Sequence, residues 1–236
     1  MSEWKARRFW KAANPRPEGQ GWTIYLDERP LRTPGKHALI LPTEALAQAV
    51  ALEWDAQEDV INPEAMPLTR AANSAIEKVG PQFDAVADML GEYGGTDLLS
   101  YRAEGPADLV GRQVAGWDPL IDWSRDHLDA PLAVTQGVIP VAQDGAALAR
   151  LRARLGALDV FGLTAIHDLV TLPGSLVLGL AVIEGRLSAR EAYALSRIDE
   201  DYQAEQWGRD EDADEAAEAR LAAMELAERL WHLSRP

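Results

Sequence analysis

Residues 195–215, LSRIDEDYQAEQWGRDEDADE, set nine Asp or Glu side chains beside a tyrosine and a tryptophan. Carboxylates at that density can hold a metal, form a general acid–base pair, meet a basic partner, or line a solvated helix face. Spacing separates these readings. As a calcium loop, Asp210, Asp212 and Asp214 would be positions one, three and five. Position six is then Glu215, where the loop needs glycine, and position twelve is Leu221, where it needs a bidentate glutamate. The loop fails at both places. Acids at 210–215 have a simpler use at the start of the last helix, where the helix dipole favours negative charge. An acid–base pair needs an electrophile, nucleophile or metal beside it, and the sequence supplies none.

Other chemistries fare no better. The four histidines, His37, His127, His167 and His232, lie too far apart in sequence for a local two-histidine metal pair. No G-x-S-x-G elbow and no phosphate loop occur, and GQGWTI lacks the third glycine and precedes a strand. The absence of cysteine excludes disulfides, thiolate catalysis and Cys-ligated centres. The net charge of −15 is uneven: residues 1–36 carry net +4 and the remainder net −19. An acidic body does not suit nucleic-acid binding, which needs a basic footprint. The charge polarity can orient a protein partner or serve dispersal in water. No apolar run reaches membrane-spanning length. The start, MSEWKARRFWKAANP, has no apolar core of a secretory signal; it is basic and aromatic, as a short transit peptide is, but Glu3, Pro15 and Pro17 favour a mature start, which with the missing cysteine points to the cytoplasm.

The acids need a helix to position them. Ser188 and Glu191 form a capping box, so a helix is expected from Ala189 to Trp207. At 100° per residue Leu195, Ile198 and Tyr202 share one stripe. Asp199 borders it on one flank, and Asp201 and Glu205 crowd the other. Like charges four apart repel mildly, and Arg197 can offset Asp201. Such a helix either packs its stripe in the core, with the acids at the solvent border, or docks on a basic partner around an apolar centre.

The rest of the chain predicts an α+β protein. WTIYLD and HALIL read as strands in residues 21–42. PTEALAQAVALEWDAQ reads as a helix with Thr43 as N-cap and Leu46, Val50 and Trp54 on one stripe. INPEAMPLTR marks a boundary. The expected organisation is a small sheet-plus-helix domain, residues 1–68, and a larger all-helical domain, residues 69–236. Only LAVTQGVIPV (132–141) reads as extended in the second part.

With these residues in view, LSRIDEDYQAEQWG resembles the signature of a family of ATP synthase assembly chaperones, the twelfth-numbered among those factors. YLDERPLRTPGKHALILPTEALAQAVALEWDAQ, MPLTRAANSAI, DLLSYRAEGPADLVGRQVAGWDPLIDW and GSLVLGLAVIEGRLSAREAYALSR resemble its further blocks, in its order, over about residues 8–210. Glu28 stands where the family often has glycine, and Asp199 is a shorter equivalent of the family's usual glutamate. The resemblance implies two domains, no catalysis, no cofactor and no metal. It implies binding of the unassembled alpha subunit of the F-type catalytic head until the beta subunit replaces the chaperone, without nucleic acid or membrane insertion. The bacterial form would be cytoplasmic and eukaryotic relatives mitochondrial. The partner-binding residues it implies are Asp199, Gln203, Trp207 and Gly208, with Trp54 from the EWDAQ block; Asp201 and Glu205 join the expected set as the acids on the opposite flank of the helix. Trp54 has a competing role as an anchor of its helix in the core. The rival functions are an enzyme using carboxylates on a small molecule and a structural adaptor.

Overall fold

The computed structural model describes residues 7–236. The reading of the first six residues as part of a mature start lies outside the described residues. Packing divides the chain into two compact units. The first holds the described residues up to Phe83, with Val160–Thr164 and Arg229–Pro236. The second holds Asp84–Asp159 and Ala165–Glu228.

In the first unit, β1 (Ala13–Glu18), β2 (Gly21–Leu26) and β3 (Arg29–Pro30) form an antiparallel sheet in that order. β2 is the expected WTIYLD strand, with Ile24 and Leu26 buried. β1, ANPRPE, has no strand signal in the sequence because two prolines interrupt it. The register explains why they are tolerated. Pro15 and Pro17 pair opposite Ile24 and Trp22, with the same parity as Ala13, whose N–H points away from β2 and donates to Asp55 at 2.8 Å. The two missing N–H groups therefore fall on the outer edge, where no ladder bond is lost. HALIL is not a strand. It touches the sheet at single bridges, Trp22 with Leu41 and Arg32 with Ala38, while Leu39 and Leu41 are buried.

Helix α1 (Glu44–Asp55) starts as expected, the Thr43 hydroxyl accepting from the Leu46 N–H at 3.1 Å. It packs on β1 and β2 and buries Leu46 and Val50 completely, about 2 kcal/mol each. α2 (Pro67–Ser74) has no capping side chain of its own at Met66. Glu53, projecting from α1, takes that place by accepting from the N–H groups of Leu68 at 2.7 Å and Thr69 at 2.8 Å. The orphan donors of one helix are thus satisfied by its neighbour.

The helices that follow are α3 (Phe83–Glu92), α4 (Ala107–His127), α5 (Gly145–Gly156), α6 (Val160–Thr171), α7 (Leu176–Ile183), α8 (Ala189–Ser196), α9 (Ile198–Trp207) and α10 (Glu211–Leu233). Within the second unit, α7 is buried from Leu176 to Val182, as a helix apolar on every side must be. It packs on α4 and α8. Its start is held by Ser175, whose hydroxyl accepts from Leu178 N–H at 3.0 Å, and by the buried Asp97, which accepts from the Ser175 hydroxyl at 2.7 Å and the Val177 N–H at 3.0 Å. The segment read as extended is so only at β5 (Thr135–Gln136), paired in parallel with β4 (Tyr101–Arg102). The fold class is α+β, a small sheet with its helix and then a larger helical region. Among the described residues no helix is long and apolar enough to cross a membrane.

Candidate partner-binding site

The helix expected over 189–207 is two helices. The capping box at Ser188 and Glu191 is present and starts α8. At Leu195 the helix loses a carbonyl: Trp117 on α4 donates its indole N–H to Leu195 O at 2.8 Å. A continuous helix would spend that oxygen on the Asp199 N–H. Instead Arg197 leaves helical geometry (φ −101°, ψ 10°), and α9 begins at Ile198. The single stripe of Leu195, Ile198 and Tyr202 therefore does not run across 189–207 as one helical face.

The break turns α9 against α4. Asp199 is half-buried, and its Oδ1 accepts from Gln113 Nε2 at 2.6 Å. Gln113 is fully buried on α4. Its side-chain oxygen accepts from Ala103 N–H at 2.8 Å, and its carbonyl accepts from Arg102 at 3.0 Å. Arg102 is buried beneath this, paired with Asp118 at 2.8 Å and lying over the Trp117 ring at 5.0 Å. Burial pushes the Arg102 guanidinium below its ordinary value, with Asp118 opposing. Asp199 thus ends a polar chain through Gln113 to Arg102 and Asp118. A group so placed orients α9 before it does anything else.

The other acids are also engaged. Arg112 of α4 meets Glu205 with both ends of its fork, at 2.9 and 2.8 Å, and lies over Tyr202 at 5.2 Å. The hydrogen bond from Arg112 holds Glu205 below the usual carboxylate range. Arg197 meets Asp201 at 3.2 Å, as its spacing predicts. The mutual repulsion of Asp201 and Glu205, expected to await a basic partner, is already relieved within the chain. Gln203 and Trp207, four apart on α9, are exposed, and Trp207 is 80% exposed. Gly208 ends the helix at φ +98°, in the left-handed region that favours glycine, and its N–H donates to Ala204 O at 2.9 Å.

The acids at 210–215 serve α10. Asp210 accepts from Ala213 N–H at 3.0 Å, and Asp214 pairs with Arg209 at 2.9 Å. Asp212 and Asp214 are themselves helical, so no calcium loop exists there. Among the described residues no three His, Asp or Glu side chains gather as a metal site.

Six of the seven expected residues therefore lie on α9 and its cap. Trp54 belongs to the first unit, half-buried on α1 with its ring 5.2 Å from Trp10. The indole N–H groups of both tryptophans are buried without a partner. Sequence reasoning missed Gln113, Arg112 and Trp117. A glutamine, an arginine and a tryptophan inside a long helix carry no signal of what they face some 80 residues later.

The chain has marked similarity to known proteins. The profile of the ATP12 chaperone protein family matches residues 7–125. Protein atp12, mitochondrial, of Schizosaccharomyces pombe is 28% identical over 223 residues, covering 89% of this chain and 76% of that one. The crystal structure of Atp12 from Paracoccus denitrificans is 67% identical with a TM-score of 0.97, over 99% of this chain and 100% of that one. An aspartate-to-lysine mutant of P. denitrificans Atp12p matches equally. A protein of Agrobacterium tumefaciens is 40% identical with a TM-score of 0.91, over 97% of this chain and 86% of that one.

Proposed function

The chain belongs to the ATP12 chaperone family, and from that membership we propose that it assists assembly of the F-type ATP synthase by holding the unassembled alpha subunit until the beta subunit replaces it. The observation that carries a holding role is Trp207, 80% exposed at the end of an acidic helix. Tryptophan is among the side chains that protein interfaces enrich, and here one stands in water. In this reading Gln203 and Trp207 touch the partner. Asp199, Asp201 and Glu205 hold α9 in place and give its border a negative sign, and Gly208 fixes where the helix stops. A negative border steers a basic partner and sets register more than it adds affinity. A catalytic use of the same carboxylates has little support, since Gln113, Arg197 and Arg112 already occupy them. The bacterial relatives favour a cytoplasmic place of action.

The test is capture. The tagged chain is co-expressed with the alpha subunit alone, with the beta subunit alone, and with both. Stoichiometric alpha subunit in the first case, none in the second and loss of alpha subunit in the third support the proposal. No retained alpha subunit, or equal retention of beta, overturns it.

A further inference from the structure

Within the second unit a nine-residue excursion leaves the body between Ala133 and Gln143. Its neck is closed by one side chain. Gln143 accepts from Ala133 N–H at 2.7 Å and donates to Ala133 O at 3.0 Å, reproducing a strand pair, and its amide also reaches the buried Ser100 at 3.3 Å. The pairing of Thr135 and Gln136 with β4, and Gly137 N–H donating to Arg102 O at 2.8 Å, fix one limb. Gly137 then reverses direction at φ +76°. Beyond it, Val138 is 92% exposed and Ile139 75% exposed, followed by exposed Pro140. The segment Gly137–Ala142 carries no charge at all.

This is an apolar tip on a clamped neck. Two successive β-branched side chains in water are an aggregation hazard unless something covers them. Their stiff side chains and the fixed neck make the tip cheap to order on binding. We propose that Val138, Ile139 and Pro140 form a peg that inserts into an apolar pocket, rimmed by Lys or Arg, on the unassembled subunit; this rests on the holding role proposed above.

Charge selects that occupant. Glu104 stands beneath the tip, close enough that a Cβ on Gly137 would lie 2.9 Å from its Oε1, and no basic side chain pairs with it among the described residues. Asp144 follows the neck directly. A membrane surface is anionic and attracts basic segments, so an acid-rimmed tip is repelled from it. A second copy, with net charge −15, brings the same sign. A protein pocket with a basic rim satisfies both the apolar centre and the acidic border.

The test measures binding of the purified alpha subunit, free of beta subunit, to the wild type, to Val138→Ser, Ile139→Ser and the double variant, and to Ile139→Leu. Each serine is expected to weaken binding roughly 10- to 100-fold, and Ile139→Leu to stay within about threefold. Melting temperatures should not move, because both side chains stand in solvent. A double variant that binds like the wild type overturns the peg and leaves the holding role standing. A wild type that does not bind the alpha subunit overturns both. Wild-type binding to phosphatidylglycerol vesicles, or a wild-type dimer, either one lost in the double variant, would identify lipid or a second copy as the occupant and also overturn the proposal.

Discussion

Reversing the charge at Asp199 tests what this acid is for. From sequence, Asp199→Lys should abolish alpha-subunit capture and leave the fold untouched, as a change on an exposed flank. The geometry requires a different outcome. Oδ1 of Asp199 holds the amide of the fully buried Gln113 at 2.6 Å. A hydrogen bond to a charged group contributes ~1.5–3 kcal/mol, and a buried donor left without an acceptor costs ~1–3 kcal/mol. These are two views of one loss, so the expected cost is about 2–3 kcal/mol. The lysine adds little further cost, because a half-exposed position lets its ammonium reach water. For a chain of this size ~1 kcal/mol lowers the melting temperature by ~2–4 °C, so Asp199→Lys should melt about 4–12 °C lower. Calorimetry of Asp199→Ala, Gln113→Ala and the double variant closes the cycle, with an expected coupling of ~1–2 kcal/mol. Capture separates positioning from contact. If Asp199 acts by placing α9, Gln113→Leu weakens capture although Gln113 cannot touch a partner. An Asp199→Lys chain that melts like the wild type, or a coupling near zero, refutes the reasoning.

Three further outcomes are expected. Burial pushes the Asp97 carboxyl up to about 6 from 3.8, against hydrogen bonds from Val177, Ser175, Leu99 and Leu176. The folded state then binds this proton more tightly than the unfolded state, so its contribution falls as pH rises from about 4 to about 6 and is flat above, by at most ~3 kcal/mol. Denaturant melts of wild type and Asp97→Asn from pH 4 to 7 should diverge over that window, and parallel curves would contradict the assignment. Gly208→Ala forces an L-residue to φ +98°; a loss of ~1 kcal/mol or more in melts is expected, and an unchanged melt would mean the helix end had relaxed. Trp54→Arg removes a ring packed on Trp10 and should cost ~2–4 kcal/mol, whereas Trp54→Phe, which also removes a buried unpartnered N–H, should cost ~1 kcal/mol or less. A Trp54→Arg chain that melts normally but loses capture would place Trp54 at the partner surface.

What was legible in the sequence follows from how local the cause is. The Thr43 cap, the capping box at Ser188 and Glu191, and the Arg197–Asp201 pair each act within four residues, and each is present. The break at Arg197 was not legible, because it depends on an indole N–H from Trp117, 78 residues earlier, taking the Leu195 carbonyl. The same distance hid the role of Asp199: its spacing from Leu195 gives an angle on a helix, but only the folded chain brings Gln113 to it. β1 failed for the opposite reason. Its prolines are a strong local signal against a strand, and the register overrides it by turning both missing donors outward.

For a chain proposed to hold another, that register bears on how it avoids being templated by its partner. A free strand edge offers alternating N–H and C=O groups and recruits any exposed strand. On the outer edge of β1 the Ala13 N–H is bound to Asp55, and Pro15 and Pro17 have none. That edge can accept but not donate, so an incoming strand finds half of its ladder missing. A protein that meets unassembled, aggregation-prone surfaces gains from such an edge, since main-chain pairing is indifferent to sequence and hard to undo. Side-chain contacts, such as those proposed for Trp207 on α9 and for Val138 and Ile139 on the 133–143 loop, are selective by shape. In the proposed function, a competing subunit that buries the same surface better would displace such contacts one at a time. For the proposed hold, contact through side chains with the β1 backbone donors withheld favours release.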